Sequence, residues 1–273
     1  MKTDEYLSRS IAQLTAAGIQ TARLDCLVLL EDVLNTNRTQ IIAHPERKIT
    51  EVQQKILDSM VIRRSRHIPL AYIRKKTEFY GREFDINSHV LQPRPESETM
   101  IELLKNYAED APQIIVDVGT GSGALAITAA LELTGATVAA CDVDSRCLSL
   151  AKQNAAKHRV NVTFYESDLL SSLPEAIVSK PASLLCNLPY VPDGFSINRA
   201  ATHEPTLAIF GGTDGLDYYR LLFEQLITKH LGASYIFCES LPTQHKDLAQ
   251  IAARAGFSQQ HEQDLIQVFV HDS

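Results

Sequence analysis

The sequence predicts an α/β fold: a doubly wound, mostly parallel sheet, preceded by a small N-terminal helical bundle and a β-hairpin linker. Three observations predict it. From residue 114 onward short apolar runs alternate with segments of helical periodicity, the pattern of parallel strands joined by crossover helices. Over residues 3–66 the apolar residues recur at helical spacing instead. Charge divides along the same line: residues 1–92 carry 14 Lys/Arg against 11 Asp/Glu, whereas residues 93–273 carry 12 against 22. A length of 273 residues accommodates one or two domains. The expected boundaries are 1–68 for the helical domain, 69–92 for the hairpin linker and 93–273 for the α/β domain.

Each element follows from its local pattern. Tyr6, Leu7, Ile11 and Leu14 share one helical face, and Leu24, Leu27, Val28, Leu30 and Val33 another. Val52, Ile56, Leu57, Met60 and Val61 form a third stripe, with Thr50 as its N-cap. Gly18, residues 35–37 and Pro45 separate these helices. Residues 70–92 read as β-like, with Tyr72, Ile73, Phe79, Tyr80, Phe84, Ile86, Val90 and Leu91 around Gly81 and Asn87. Pro93-Arg94-Pro95 marks the next boundary. Strands are expected at 114–117, 137–142, 162–165, 183–186, 234–238 and 267–270, with helices at 124–133, 145–158, 218–229 and 244–255.

Composition excludes several classes. Hydrophobic residues make up 45% of the chain, enough for a packed core and too many for wholesale disorder. No run approaches the roughly 18 apolar residues of a membrane span, and no hydrophobic signal segment follows Met1-Lys2-Thr3-Asp4-Glu5. A cytoplasmic protein without membrane contact is expected. Five scattered cysteines without a Cys-x-x-Cys pair imply reduced, mostly buried thiols. Nine histidines without a His-x-x-x-His pair give no reason to expect a metal. Arg63, Arg64, Arg66, Arg74, Lys75, Lys76 and Arg82 crowd a short stretch opposed only by Glu78, which suggests a surface that steers an acidic partner.

Ligands of such sheets sit at the carboxyl ends of the strands, so chemistry is sought just after each one. After the first comes Asp117-Val118-Gly119-Thr120-Gly121-Ser122-Gly123-Ala124. Its glycines let the backbone turn tightly and let a ligand approach. Gly119-x-Gly121-x-x-Ala124 also satisfies the dinucleotide fingerprint, while the lack of Lys-Ser/Thr excludes a Walker A loop. Asp142, 19 residues after Gly123, is placed to accept from a ribose diol, and Asp168 from an adenine amino group. The fourth strand runs into Asn187-Leu188-Pro189-Tyr190. This suits methylation of a planar nitrogen, whose conjugated lone pair is weakly nucleophilic. The Asn187 side-chain oxygen and the Leu188 carbonyl can grip both N–H protons, and the Tyr190 ring can cover the planar group.

These motifs together resemble the HemK/PrmC family of peptide chain release factor N5-glutamine methyltransferases, over nearly the whole chain. Thr21-Ala22-Arg23-Leu24-Asp25 with Val28-Leu29-Leu30 is similar to the family's N-terminal signature, and residues 68–73 and 78–80 to its linker hairpin. Pro93-Arg94-Pro95-Glu96-Ser97-Glu98, His203-Glu204-Pro205 and the segment 211–219 resemble further family motifs. Leu188 stands where the family usually has proline, Leu169 where it often has an aromatic residue, and Glu239-Ser240-Leu241 lacks its usual glycine. The resemblance implies a class I, Rossmann-like methyltransferase domain and S-adenosyl-L-methionine as cofactor. Asp117, Gly119, Thr120, Gly121, Ser122, Gly123, Asp142, Asp168, Leu169 and Asn187 would bind it. Asn187, Pro189 and Tyr190 would be catalytic, with Leu188 joining them in binding substrate. The implied substrate is the glutamine of the Gly-Gly-Gln motif in release factors, docked by the helical domain. A monomer acting on protein rather than nucleic acid is expected. An adenine-N6 methyltransferase of ribosomal RNA is an alternative, disfavoured by the acidic α/β half. A non-catalytic S-adenosylmethionine-binding relative is another.

Overall fold

In the computed structural model, which describes residues 1–107, 114–178, 182–229 and 232–272, the chain divides into two units. One comprises Met1–Lys76 with Ile197–His203, the other Thr77–Ser196 with Glu204–Ser273. The first unit is helical: α1 (Thr3–Ala16), α2 (Ala22–Leu34), α3 (Arg38–Ala43), α4 (Glu51–Ser65) and α5 (Leu70–Arg74). Thr50 caps α4 as expected, its hydroxyl accepting from Gln53 N at 3.2 Å while Gln53 Oε1 accepts from Thr50 N at 3.0 Å.

Two expectations for this unit are corrected. Leu24 lies outside on α2, and the buried face runs through Ala22, Asp25, Cys26, Leu29 and Leu30. A charged pair turns the helix this way: Asp25, 4% exposed, accepts from Arg64 Nε at 2.7 Å. Val52 and Ile56 are likewise exposed on α4, whose core side is Leu57 and Val61. The basic stretch is also mostly internal bracing. Arg74 and Lys76 pair with Asp32, and Arg82 with Glu132, leaving Arg66 and Lys75 exposed.

Residues 70–74 form a helical turn rather than the expected strand. Pro69 precedes it, and Lys75 closes it in the left-handed region at φ 62°. The hairpin is shorter: β1 (Lys76–Phe79) and β2 (Arg82–Asp85). The second unit continues with α6 (Glu98–Asn106), β3 (Ile114–Val118), α7 (Ala124–Glu132), β4 (Thr137–Asp142), α8 (Ser145–His158), β5 (Val162–Glu166) and α9 (Glu175–Val178). It ends with β6 (Ala182–Cys186), α10 (Asp217–Thr228), β7 (Ala233–Glu239), α11 (His245–Arg254), β8 (Phe257–Gln263) and β9 (Ile266–His271).

Among the described residues seven strands form one sheet in the order β5-β4-β3-β6-β7-β9-β8. The first five are parallel, and β9 and β8 add antiparallel at one edge. The inner strands β3 and β6 are almost wholly buried, as parallel strands covered by helices on both faces must be. The sheet has an apolar cluster on each side, one built around Leu184, Phe223 and Phe269, the other around Ile115, Ile127 and Phe237. All five cysteines are buried thiols. No helix among the described residues is long and apolar enough to cross a membrane.

Candidate active site

Strand order places the switch point at β3. The chain builds outward through β4 and β5, then returns to add β6 and β7 on the other side. Segments leaving β3 and β6 part at this point, and parting loops open a crevice beyond the strand ends. A cleft of about 400 Å³ lies there, lined by Gly119, Thr120, Gly121, Ser122, Asp142 and Asp168 from one side. Leu169, Asn187, Leu188 and Pro189 complete the sequence-expected lining.

The glycine loop is held from beneath. Gly119 N and Thr120 N both donate to Cys141 O at 2.9 Å, and Gly121 N donates to Asp142 Oδ2 at 2.9 Å. Asp142 Oδ1 accepts from Asp144 N at 2.9 Å, so one side chain ties two loops and still faces the cleft. Burial pushes the Asp142 carboxyl above its ordinary range. Asp168 lies two residues beyond the end of β5, exposed at the cleft. Leu169 follows at φ 51°, its carbonyl accepting from Cys141 Sγ at 3.2 Å.

Two members of the expected cofactor set stand behind the cleft instead of lining it. Gly123 has φ 82°, and a Cβ there would lie 3.1 Å from Ala151 Cβ, so the glycine permits the close approach of α7 and α8. Asp117 is buried, its Oδ2 accepting from Thr120 Oγ1 at 2.6 Å and from Ala126 N at 3.1 Å. Burial raises its carboxyl from 3.8 to about 6. Between those values the folded chain keeps a proton that the unfolded chain has lost, so stability falls as pH rises through the window. Two units correspond to roughly 2–3 kcal/mol. Asp117→Asn retains an oxygen for both donors and carries no charge. Its stability relative to the parent, from denaturant unfolding, is expected to increase between pH 4 and 7; a constant difference would show that burial does not burden this carboxylate.

The tetrapeptide after β6 is fixed by its neighbours. Leu188 is buried with Val118, Cys186 and Leu216 in one apolar cluster, which anchors the segment where a proline would have stiffened it. Val191 N donates to Ile209 O, and Gln244 Nε2 bridges Tyr190 O at 2.8 Å and Asp214 O at 2.7 Å. A Cβ on Gly215, at φ 80°, would stand 2.1 Å from Tyr190 O, so only glycine lets this loop back the tetrapeptide. Asn187 Nδ2 donates to Ser97 Oγ at 2.9 Å, and Ser97 Oγ donates to Glu239 Oε2 at 2.6 Å.

Tyr190 departs from expectation. Its hydroxyl donates to Glu239 Oε1 at 3.0 Å, burial pushes its phenol well above the usual range, and it is not among the residues lining the cleft. It packs against the core and braces the loop. Sequence reasoning also missed lining residues, among them Arg94, Ser97, Val143, Leu207 and Tyr218. Arg94 Nη2 donates to buried Glu204 Oε2 at 2.6 Å. For Arg94 and Ser97 the signal was the string Pro93–Glu98, visible as a motif but without a role until folding set Ser97 beside Asn187.

This sheet order, with a glycine loop after β3 and an acidic residue closing β4, defines a class I methyltransferase fold. The hMettl16 catalytic domain, solved in complex with a MAT2A 3'UTR hairpin, shares it at TM-score 0.54 and 13% identity, covering 82% of this chain and 83% of that one. Residues 5–74 match the family model described as PrmC N-terminal domain, and residues 95–202 the model described as Methyltransferase small domain. A release factor glutamine methyltransferase of Coxiella burnetii is 34% identical over 238 residues, covering 85% of this chain and 83% of the relative. One from Deinococcus radiodurans is 32% identical over 270 residues, covering 97% and 95%. The chain is an enzyme belonging to the release factor glutamine methyltransferase family.

Proposed function

We propose that the protein transfers a methyl group from S-adenosyl-L-methionine to the side-chain amide nitrogen, N5, of the glutamine in the Gly-Gly-Gln motif of peptide chain release factors. The observation that carries the reading is the state of Asn187. Its NH2 end is engaged by Ser97, so its oxygen is the end offered to a substrate, and an oxygen there suits a nitrogen bearing hydrogens.

The residues of the cleft fit the cofactor. The glycine loop removes side chains where a ligand must pass close to the backbone, and Asp142 beside it is a carboxylate acceptor suited to a ribose diol. Asp168 and Leu169 offer an acceptor and an apolar wall for an adenine. When bound, S-adenosylmethionine supplies an electrophilic methyl group. Asn187 Oδ1 and the Leu188 carbonyl hold the two N–H hydrogens of the glutamine and turn the nitrogen lone pair toward the methyl position. Pro189 and Tyr190 keep that geometry; the N–C bond would form as the methyl–sulfur bond breaks, and the proton given up by the nitrogen would be released to solvent. Positioning and exclusion of water supply the acceleration, with no nucleophilic side chain involved. In this reading residues 1–68 dock the protein substrate, 69–92 link, and 93–273 carry the chemistry of a monomer.

The test is mass spectrometry of purified release factors incubated with the protein and S-adenosylmethionine. A gain of one methyl on the Gly-Gly-Gln glutamine is expected. Methyl transfer to an adenine in RNA, with release factors untouched, would overturn the reading.

A further inference from the structure

We infer that Ser97, itself held by the buried carboxylate of Glu239, is a positioning residue that selects which end of the Asn187 amide faces the substrate. The inference rests on the role of Asn187 proposed above and extends it to a chain of bonds reaching back into the sheet.

An asparagine amide can turn over about its last bond with almost no change of shape, exchanging an acceptor oxygen for a donor NH2. Only one of the two arrangements can receive a substrate N–H, and nothing within Asn187-Leu188-Pro189-Tyr190 selects it. The surrounding groups do. Glu239 closes β7 and is 1% exposed. Its two oxygens receive the Ser97 hydroxyl at 2.6 Å and the Tyr190 hydroxyl at 3.0 Å, and the Asn187 side chain lies within reach of the same carboxylate. Both hydroxyls donate to it, and these bonds work against the burial that pushes its carboxyl above the ordinary range. Ser97 has then used its single hydrogen and can only accept from Asn187, which forces the Nδ2 end toward it at 2.9 Å. With Asn187 turned over, two acceptor oxygens would meet at that distance with no hydrogen between them. A hydrogen bond would be exchanged for a repulsion.

Glu239 is in turn placed by the sheet. It pairs with Ile266 of β9, and its carbonyl accepts from the Tyr219 hydroxyl, whose oxygen also lies 3.0 Å from Cys186 O. The acceptor polarity at the cleft is thereby set by a strand end. Ser97 enters from the turn before α6, which gives Pro93–Glu98 its part in the site.

The experiment compares Ser97→Ala, Ser97→Thr and Asn187→Ala with the parent on a purified release factor, measuring kcat, KM, S-adenosylhomocysteine affinity and thermal midpoint. Ser97→Ala removes the acceptor at the Nδ2 end of Asn187 and leaves only the Glu239 carboxylate near it, and a misdirected acceptor costs on the order of 10–100-fold in kcat. S-adenosylhomocysteine affinity should stay within about twofold, because the cofactor product offers no nitrogen at that position, and KM, spread over the whole docked release factor, should change far less than kcat. Ser97→Thr keeps the hydroxyl and should restore kcat to within a few fold. Wild-type kcat in Ser97→Ala beside a slow Asn187→Ala would overturn the inference and leave the role of Asn187 standing. Wild-type kcat in Asn187→Ala would overturn both. Parallel loss of kcat, cofactor-product affinity and thermal midpoint in Ser97→Ala would also overturn it, since that is the mark of a structural role. If Ser97→Ala does not fold, side-chain amide exchange in the parent decides. Asn187 Nδ2 hydrogens, assigned by their absence in Asn187→Ala, should exchange more slowly than those of an exposed asparagine; equally fast exchange overturns the inference.

Discussion

Asn187→Ala is expected to bind S-adenosylmethionine almost normally and to transfer methyl about 10²–10³-fold more slowly. Loss of one preorganised polar contact at a reacting group typically costs that much. The substitution leaves the Leu188 carbonyl in place, and Leu188 is buried in the core, so the loop should keep its course. What disappears is the acceptor that orients the glutamine nitrogen. Asn187→Asp is the sharper companion. It keeps an oxygen for the substrate but replaces the Nδ2 donor, so a second acceptor would face Ser97 Oγ across the present 2.9 Å contact, with the Glu239 carboxylate beyond it. Transfer should again be slow, even where the added charge tightens binding of the cationic cofactor. Single-turnover rates with calorimetric affinities separate these effects. Near-parental transfer by Asn187→Ala would mean the tetrapeptide is only a turn.

Asp142→Ala should weaken S-adenosylmethionine binding by at least tenfold while leaving the fold intact. Hydrogen bonds to a charged group contribute about 1.5–3 kcal/mol each, and the proposed diol contact uses this carboxylate. The side chain also receives Gly121 N and Asp144 N, each at 2.9 Å, so its removal loosens the glycine loop that the ligand must cross. Asp142→Asn keeps one accepting oxygen for these donors and should fall between the parent and Asp142→Ala. Calorimetric titration checks both; unchanged affinity in Asp142→Ala, or tighter binding of NAD than of S-adenosylmethionine by the parent, would remove the cofactor assignment.

The parallel sheet and its ligand-facing strand ends were legible in the sequence because their causes are local. The strand at 137–142 and the helix at 145–158 lie where the pattern puts them, since a buried strand needs an unbroken apolar run and a crossover helix its stripe. Gly119, Gly121, Asp142 and Asn187 were legible for a related reason: a strand end in this topology points at the crevice whatever else the chain does. Elements whose stability comes from elsewhere were not. Phe257–Gln263 is too polar to read as a strand, yet it forms the sheet's edge by pairing with β9. Leu70–Arg74 has strand-favouring side chains but is closed as a helical turn by Pro69 and Lys75.

Polar partnerships were least legible of all. Asp25 with Arg64 and Ser97 with Glu239 are separated by 39 and 142 positions. Hydrophobic periodicity records which face of an element turns inward. It carries no information on which distant donor will meet which buried acceptor, because that depends on the register of strands and the crossing of loops. The sequence by itself therefore determined the fold class, the family likeness and the residues at the strand ends. Only the tertiary structure decided that Asp117, Gly123 and Tyr190 are absent from the cleft lining, and that Asn187 turns its Nδ2 to Ser97. A buried carboxylate must collect its hydrogen bonds from whatever folding brings within reach, and that requirement is met only in three dimensions.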